Sequence, residues 1–157
     1  MSDARDDELK SWLRRLVGKK VADINFSVYV AATNALYPVP FQIEIVCEAG
    51  ERGMIVLSPE GERVEYSDSD IMIADVGEFG RVERRKIAPG FDPLGIVDSK
   101  IENVELVMYG GHALGGELEF SSGRKLIVVN NGDEMLLLSG RNHPALQQDN
   151  LQYERIC

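Results

Sequence analysis

The stretch MYGGHALGGELEF, Met108 to Phe120, sets four glycines around His112, the residue types from which phosphate cradles and metal loops are built. A phosphate cradle needs its glycines to lead into a helix N-terminus; here they lead into an alternating strand pattern. A metal site needs convergent ligands, yet neither a second His nor a Cys stands near His112, and His143 precedes Pro144 in another segment. The spacing therefore predicts a hairpin or bulge with His112 exposed. Asp68 and Asp70 in YSDSDI have the spacing of oxygen ligands for a hard cation, but the glycine and distal Glu of an EF-hand loop are missing. A solvated turn is the expectation. Asp133 and Glu134 could couple with Glu117 or Glu119 as acid and base, but carboxylates alternating along strands read as a polar outer face. Ser139 near His143 lacks the strand–turn–helix frame of a nucleophile elbow. Cys47 alternates with Ile43 and Ile45, which marks a packed thiol, and Cys157 ends the chain as a free one. No catalytic residue, metal or cofactor is expected.

What remains is charge. The chain of 157 residues carries 17 basic and 26 acidic side chains, a formal net charge of -9. Through Gly80 there are 8 basic and 15 acidic residues, net -7; after it, 9 and 11, net -2. Such a field repels polyanions, so nucleic acid is disfavoured as a direct partner. The dense basic cluster, Arg81, Arg84, Arg85 and Lys86, reads as an exposed arm or as a contact for an acidic patch. Opposed to it, Asp68, Asp70, Asp75 and Glu78 surround Phe79. Acidic residues around an exposed aromatic compose a candidate surface for a protein partner.

The elements that must position these residues show two periods. Ser2 or Asp3 can cap a helix whose apolar positions Leu9, Trp12, Leu13 and Leu16 recur at helical spacing, with Asp6, Asp7 and Glu8 in the first turn and Gly18 as a stop. From Ile24 onward the period is two, with Phe26, Val28 and Val30 opposite Asn25 and Ser27. That pattern returns: VGKKVADINFSVY from Val17 aligns with VDSKIENVELVMY from Val97. Ile43 then falls on Leu118, Ile45 on Phe120, and MIVL from Met54 on LIVV from Leu126. Short turns, EAGERG and SPEG in one half and SSG and NNGD in the other, imply antiparallel hairpins.

The predicted architecture is mainly β: internally duplicated antiparallel four-stranded units packed as a sandwich or open barrel, with one N-terminal amphipathic helix. It forms a single domain, with repeats at about 17–76 and 97–157 joined by a Gly/Pro/charge-rich connector at about 77–96. DIMIADV and NLQYERIC are candidate extra edge strands. The N-terminus has no basic start followed by an apolar block, and no segment is apolar enough to span a bilayer, so a cytoplasmic protein without membrane contact is expected.

The stretches LVGKKVADINF and ELEFSSGRKLIVVNNGDEMLLLSG resemble small all-β bacterial proteins, some of which are immunity partners of polymorphic or contact-dependent toxins. A few of these have a duplicated sheet similar to the whirly fold. The basic lysine-containing motif by which whirly proteins hold single-stranded DNA has no counterpart here. The resemblance implies a non-catalytic binder that occludes the basic face of a nuclease-like toxin, and the charge pattern offers Asp68, Asp70, Asp75, Glu78 and Phe79 as its contact. The alternative expectation is an enzyme or small-ligand protein with a pocket between the two sheets, using Tyr29, Tyr109, His112 and Glu119.

Overall fold

The computed structural model describes residues 3–132, 134–148 and 150–156. Ser2, Asp133 and Cys157, each given a role above, lie outside them. Asp3 caps the helix Ala4–Leu16 (α1) by accepting the Arg5 amide at 2.8 Å. The helix ends before Gly18, whose φ of 85° turns the chain out of it. Alternating segments then form Val21–Val30 (β1), Gln42–Cys47 (β2), Arg52–Leu57 (β3), Val64–Ser67 (β4), Ala74–Asp75 (β5) and Arg81–Arg85 (β6). The second half contributes Ile101–Tyr109 (β7), His112–Phe120 (β8), Lys125–Asn130 (β9), Met135–Leu138 (β10) and Gln152–Arg155 (β11). All pairings are antiparallel, in the orders β4-β3-β2-β1-β6-β5 and β10-β9-β8-β7-β11.

The duplication is written into the hydrogen bonds. Lys20 and Lys100, equivalent in the alignment, form an isolated antiparallel bridge between the sheets. Around it the amide of Gly18 donates to the carbonyl of Ile101 and that of Asp98 to Val21, while Ile101 donates to Lys19 and Val21 to Ser99. Each bond has its mate under exchange of the halves, and both Gly18 and Asp98 have positive φ. The β2–β3 and β8–β9 turns correspond as well: Cys47 N to Glu51 O and Gly50 N to Cys47 O match Phe120 N to Arg124 O and Gly123 N to Phe120 O. Ile24 and Val104 occupy the same place in their sheets, opposite Ile45 and Leu118.

Register corrects the alignment in two strands. Phe26 pairs with Ile43 and Leu106 with Gly116, so Ile43 is equivalent to Gly116, Ile45 to Leu118 and Cys47 to Phe120, a shift of two. Glu44 faces Met54 and Glu117 faces Ile127, so Met54 matches Ile127, a shift of one. The connector is also shorter than expected. Arg81–Arg85 is a strand flanking β1 as β11 flanks β7, which leaves about 86–96 as the link. DIMIADV yields only the two-residue β5, while NLQYERIC supplies β11.

The inner faces of both sheets and α1 share one apolar cluster. Leu9, Trp12, Leu13 and Leu16 are fully buried, and each such side chain stabilises the fold by roughly 1.5–3 kcal/mol. Trp12 lies over Gly53, where a Cβ would come within 2.5 Å of the indole, and stacks at a tilt on Tyr66 with centroids 5.2 Å apart. Any larger residue at 53 would expel the ring. Asp6, one of the first-turn acids, is buried and accepts the Ala113 amide at 3.3 Å. The helix is thereby fastened to the second sheet as well as the first.

Candidate functional site

With α1 filling the space between the sheets, the features that distinguish the two halves lie on their outer faces. Each outer face carries a buried carboxylate at the same position: Glu44 on β2 and Glu117 on β8. Each is paired with an arginine that pins a chain segment across the sheet. Arg52 Nε donates to Glu44 at 2.6 Å, Asn25 Nδ2 donates to it at 2.7 Å, and the guanidinium also bonds the carbonyls of Asp68 and Ser69. Arg141 bonds Glu117 at 2.6 and 2.9 Å and Glu105 at 2.5 Å, and lies 3.6 Å over the Tyr153 ring.

In the first sheet the pinned strap is 68–73, which runs from edge strand β4 to edge strand β5. Ser27 donates to the Met72 carbonyl at 2.7 Å, and the Met72 amide donates to Gln42 Oε1 at 2.8 Å. The strap is therefore anchored over β3, β2 and β1 and passes β6 to reach β5. It delivers the chain to the β5–β6 hairpin, where Asp75 pairs with Arg81 and residues 76–80 form the tip. That tip is a fixed frame. Asp75 Oδ1 accepts the Gly77 amide at 2.8 Å, the Val76 amide donates to Gly80 O at 3.0 Å, and Tyr29 donates its hydroxyl to the Phe79 carbonyl. Gly80 (φ 113°) has no room for a side chain, since a Cβ would meet the Val30 carbonyl at 2.2 Å.

Phe79 stands out from this frame, 69% exposed, in a three-residue 3-10 turn with Glu78. Among the described residues neither Asp75 nor Glu78 has an ion-pair partner. The five residues expected to form one contact do not converge. Asp75, Glu78 and Phe79 share the hairpin tip, whereas Asp68 and Asp70 sit beside Arg52 at the strap's start, near the opposite edge. Five strand spacings, about 24 Å, separate the two edges.

The four cations of the basic cluster share two carboxylates where they stand. Arg81 and Arg85 both pair with Glu83, and Lys86 and Arg84 reach Asp23. Hydrogen bonds from Arg81 and Arg85 hold the Glu83 carboxyl below its ordinary range. Burial pushes Asp23 up, but the Lys86 bond and charge outweigh it and leave the group lowered.

Apolar surface gathers beside the hairpin. Leu36, Tyr37 and Phe41 from loop 31–41 and Met72, Ile73, Val76 and Phe79 from the strap and tip are all exposed. Tyr29 joins the two segments, edge-on to Tyr37 and bonded to Phe79. Tyr37 also donates to Glu134 at 3.0 Å, a bond that raises the phenol above its ordinary range and links loop 31–41 to the second repeat. None of these neighbours was legible in order of sequence, because strap, hairpin and loop meet only once β1 stands between them.

The remaining candidates fall elsewhere. Gly110 and Gly111, at φ 60° and 83°, make a two-residue hairpin between the paired Tyr109 and His112, the conformation a type I′ turn demands. A bulge follows at Leu114, and Gly115 lets the backbone approach Val128. Tyr29, Tyr109, His112 and Glu119 are not brought together. Tyr29 lies on the outer face of the first sheet, Tyr109 and His112 at the hairpin end of the second, and Glu119 beside Lys125. The Ser139–His143 pair has no catalytic frame: His143 caps a 3-10 turn, Pro144–Leu146, by accepting the Ala145 amide. Cys47 is buried, which pushes its thiol pKa up. Among the described residues no three His, Cys, Asp or Glu side chains converge to hold a metal ion, and no helix is long and apolar enough to cross a membrane.

No protein-family model matches the sequence, and neither a curated protein nor a solved structure is similar to it at significance.

Proposed function

We propose that this chain is a non-catalytic acidic binding protein, an immunity protein that neutralises a basic, nuclease-like toxin domain by seating the β5–β6 hairpin against it. One observation carries the reading: a large aromatic, Phe79, projects from a tip immobilised by three hydrogen bonds and flanked by Asp75 and Glu78. Aromatic anchors at the centre of an interface supply most of its binding energy, and a tip already ordered loses little entropy on docking. The net charge of -9 steers a basic partner toward the surface and speeds encounter. Occlusion needs no chemistry from the inhibitor, which agrees with a molecule whose interior is filled by its own helix.

The reading requires a basic, nuclease-like toxin domain encoded beside the gene, and the test is binding to it. Phe79→Ala should weaken binding by at least about tenfold, mainly through faster dissociation. Asp75→Lys with Glu78→Lys should slow association at low salt and lose that effect at high salt. Charge reversal at Asp68 and Asp70, near the far edge, should matter less. Unchanged affinity in both hairpin variants at low salt would sink the proposal.

A further inference from the structure

The outer face of the first sheet holds an apolar groove of about 460 Å³ next to the hairpin tip, lined by Tyr29, Phe41, Val56, Met72, Val76 and Val82. It shares Tyr29, Phe41 and Leu57 with a second hollow of about 340 Å³ whose wall includes Glu134. On the outer face of the second sheet the chain covers itself. Leu146, from the turn after Arg141, packs on Val107, Ile127 and Val129, while Arg141 is held by Glu117 and Glu105. An aliphatic plug beside a carboxylate-bound cation is thus the cover this frame uses for itself. In the first sheet the strap holds its own place through Ser27 and Gln42 but leaves the neighbouring surface open.

We infer that the groove receives a short segment of the basic partner: one aliphatic or aromatic side chain in the trough, with a Lys or Arg beside it meeting Asp75 or Glu78 of the adjoining tip. The inference rests on the binding-protein reading and makes recognition reciprocal, with Phe79 entering the partner and a partner side chain entering this chain. Charge selects the occupant. A second copy would bring another net -9 to a surface whose neighbours include Asp75 and Glu78 of the tip and Glu134 in the adjoining hollow, and self-repulsion opposes that contact. A small polar ligand would need convergent free polar groups, whereas Gln42 is already bonded to Met72 and Ser27, and Glu134 to Tyr37.

Selection of a random twelve-residue phage-displayed library on the intact protein tests this. The enriched peptides should combine Lys or Arg with Leu-like or aromatic residues. Met72→Glu and Val76→Glu, both at exposed positions, should weaken them at least tenfold with an unchanged melting temperature. Leu94→Glu, exposed on the distant connector, should leave their affinity alone. No enrichment, acidic or apolar-free consensus sequences, or indifference to Met72→Glu and Val76→Glu would overturn the inference. So would sedimentation of the unaltered protein as a dimer that these substitutions convert to monomer, since a second copy would then fill the groove. The two proposals separate cleanly. Peptides lost in the groove variants while toxin binding ignores Phe79→Ala would remove the hairpin reading alone. Toxin binding sensitive to Phe79→Ala but not to Met72→Glu or Val76→Glu would remove the groove alone.

Discussion

The two outer faces share a frame and differ in how they are closed. In the second sheet, Val107, Ile127, Val129, Leu136 and Leu138 form an apolar floor on which Leu146 sits. The register equates these floor positions with Ser27, Met54, Val56, Glu65 and Ser67 in the first sheet. There the strap is gripped by hydrogen bonds from polar side chains, and the apolar surface that remains is displaced toward β6 and left uncovered. The buried Glu44 and Glu117, each with its arginine, survive in both. One face seals itself by hydrophobic burial; the other holds a strap in place and keeps a groove open. A duplicated fold can thus seal one copy's exterior and leave apolar surface open on the other's.

The sharpest way to break this comparison is to remove each cover's side chain. Leu146→Ala should destabilise the protein by about 2–3 kcal/mol, the cost of a truncated buried leucine, because Leu146 is only 6% exposed. Met72→Ala, in the strap of the first sheet and 45% exposed, should cost under about 0.5 kcal/mol. Urea denaturation of both variants measures the contrast, and equal losses would mean that the first face is as sealed as the second.

A smaller effect separates the two arginines. Arg141→Ala strands Glu117 with only Lys125 at 3.7 Å and with Glu105 directly opposite it on β7, a like-charge pair across strands. Since the guanidinium is itself 40% exposed, the loss is discounted from that of a fully buried pair to about 2 kcal/mol. Arg52→Ala leaves Glu44 its bond from Asn25 and should cost about 1 kcal/mol. Adding Glu117→Gln to Arg141→Ala should recover part of the loss, and a double-mutant cycle reads the coupling. Additive losses would mean that the pair is incidental.

Much of this architecture is legible in the sequence. The cap at Asp3, the stripe Leu9, Trp12, Leu13 and Leu16, the switch to period two and the repeat beginning at Val17 and Val97 all follow from local patterns. The strand alignment went astray where a glycine replaces a core residue. Ile43 belongs with Gly116, whose missing side chain is compensated by Leu13 of the helix, 3.7 Å from where a Cβ would stand. Hydrophobic matching cannot see a contact supplied from another element. The strand Arg81–Arg85 was hidden because it lacks apolar alternation: Arg81, Glu83 and Arg85 pair with one another at the sheet's margin. Phe79 among acids is legible as an exposed aromatic, but Asp68 and Asp70 read as its neighbours because nothing in 68–79 announces that the strap crosses the sheet.

Acid offers the gentlest test of the difference between the halves. Among the described residues, the carboxylates held below their ordinary range lie at the cap of α1 and in the first repeat. Asp3 is lowered to about 2 by the Arg5 amide and guanidinium and then by Arg63; Glu51 by Arg15 and Lys19; Glu60 by its own backbone and Arg5; Glu83 by Arg81 and Arg85. A carboxylate whose folded pKa is depressed contributes stability that is fully present above its unfolded value and is lost as pH falls through the folded one. The window therefore opens near the ordinary values of 4.5 for Glu and 3.8 for Asp and extends down to about 2. These groups are exposed and screened by salt, so the loss is small and is greatest at low ionic strength. Between pH 6 and pH 3, amide exchange corrected for intrinsic rate should accelerate more in α1 and β1–β4 than in β7–β10. Asp3→Asn should shrink that difference, because the substitution removes one of the groups that must be protonated, whereas equal acceleration of both repeats would show that their electrostatic anchoring is shared rather than concentrated in the first.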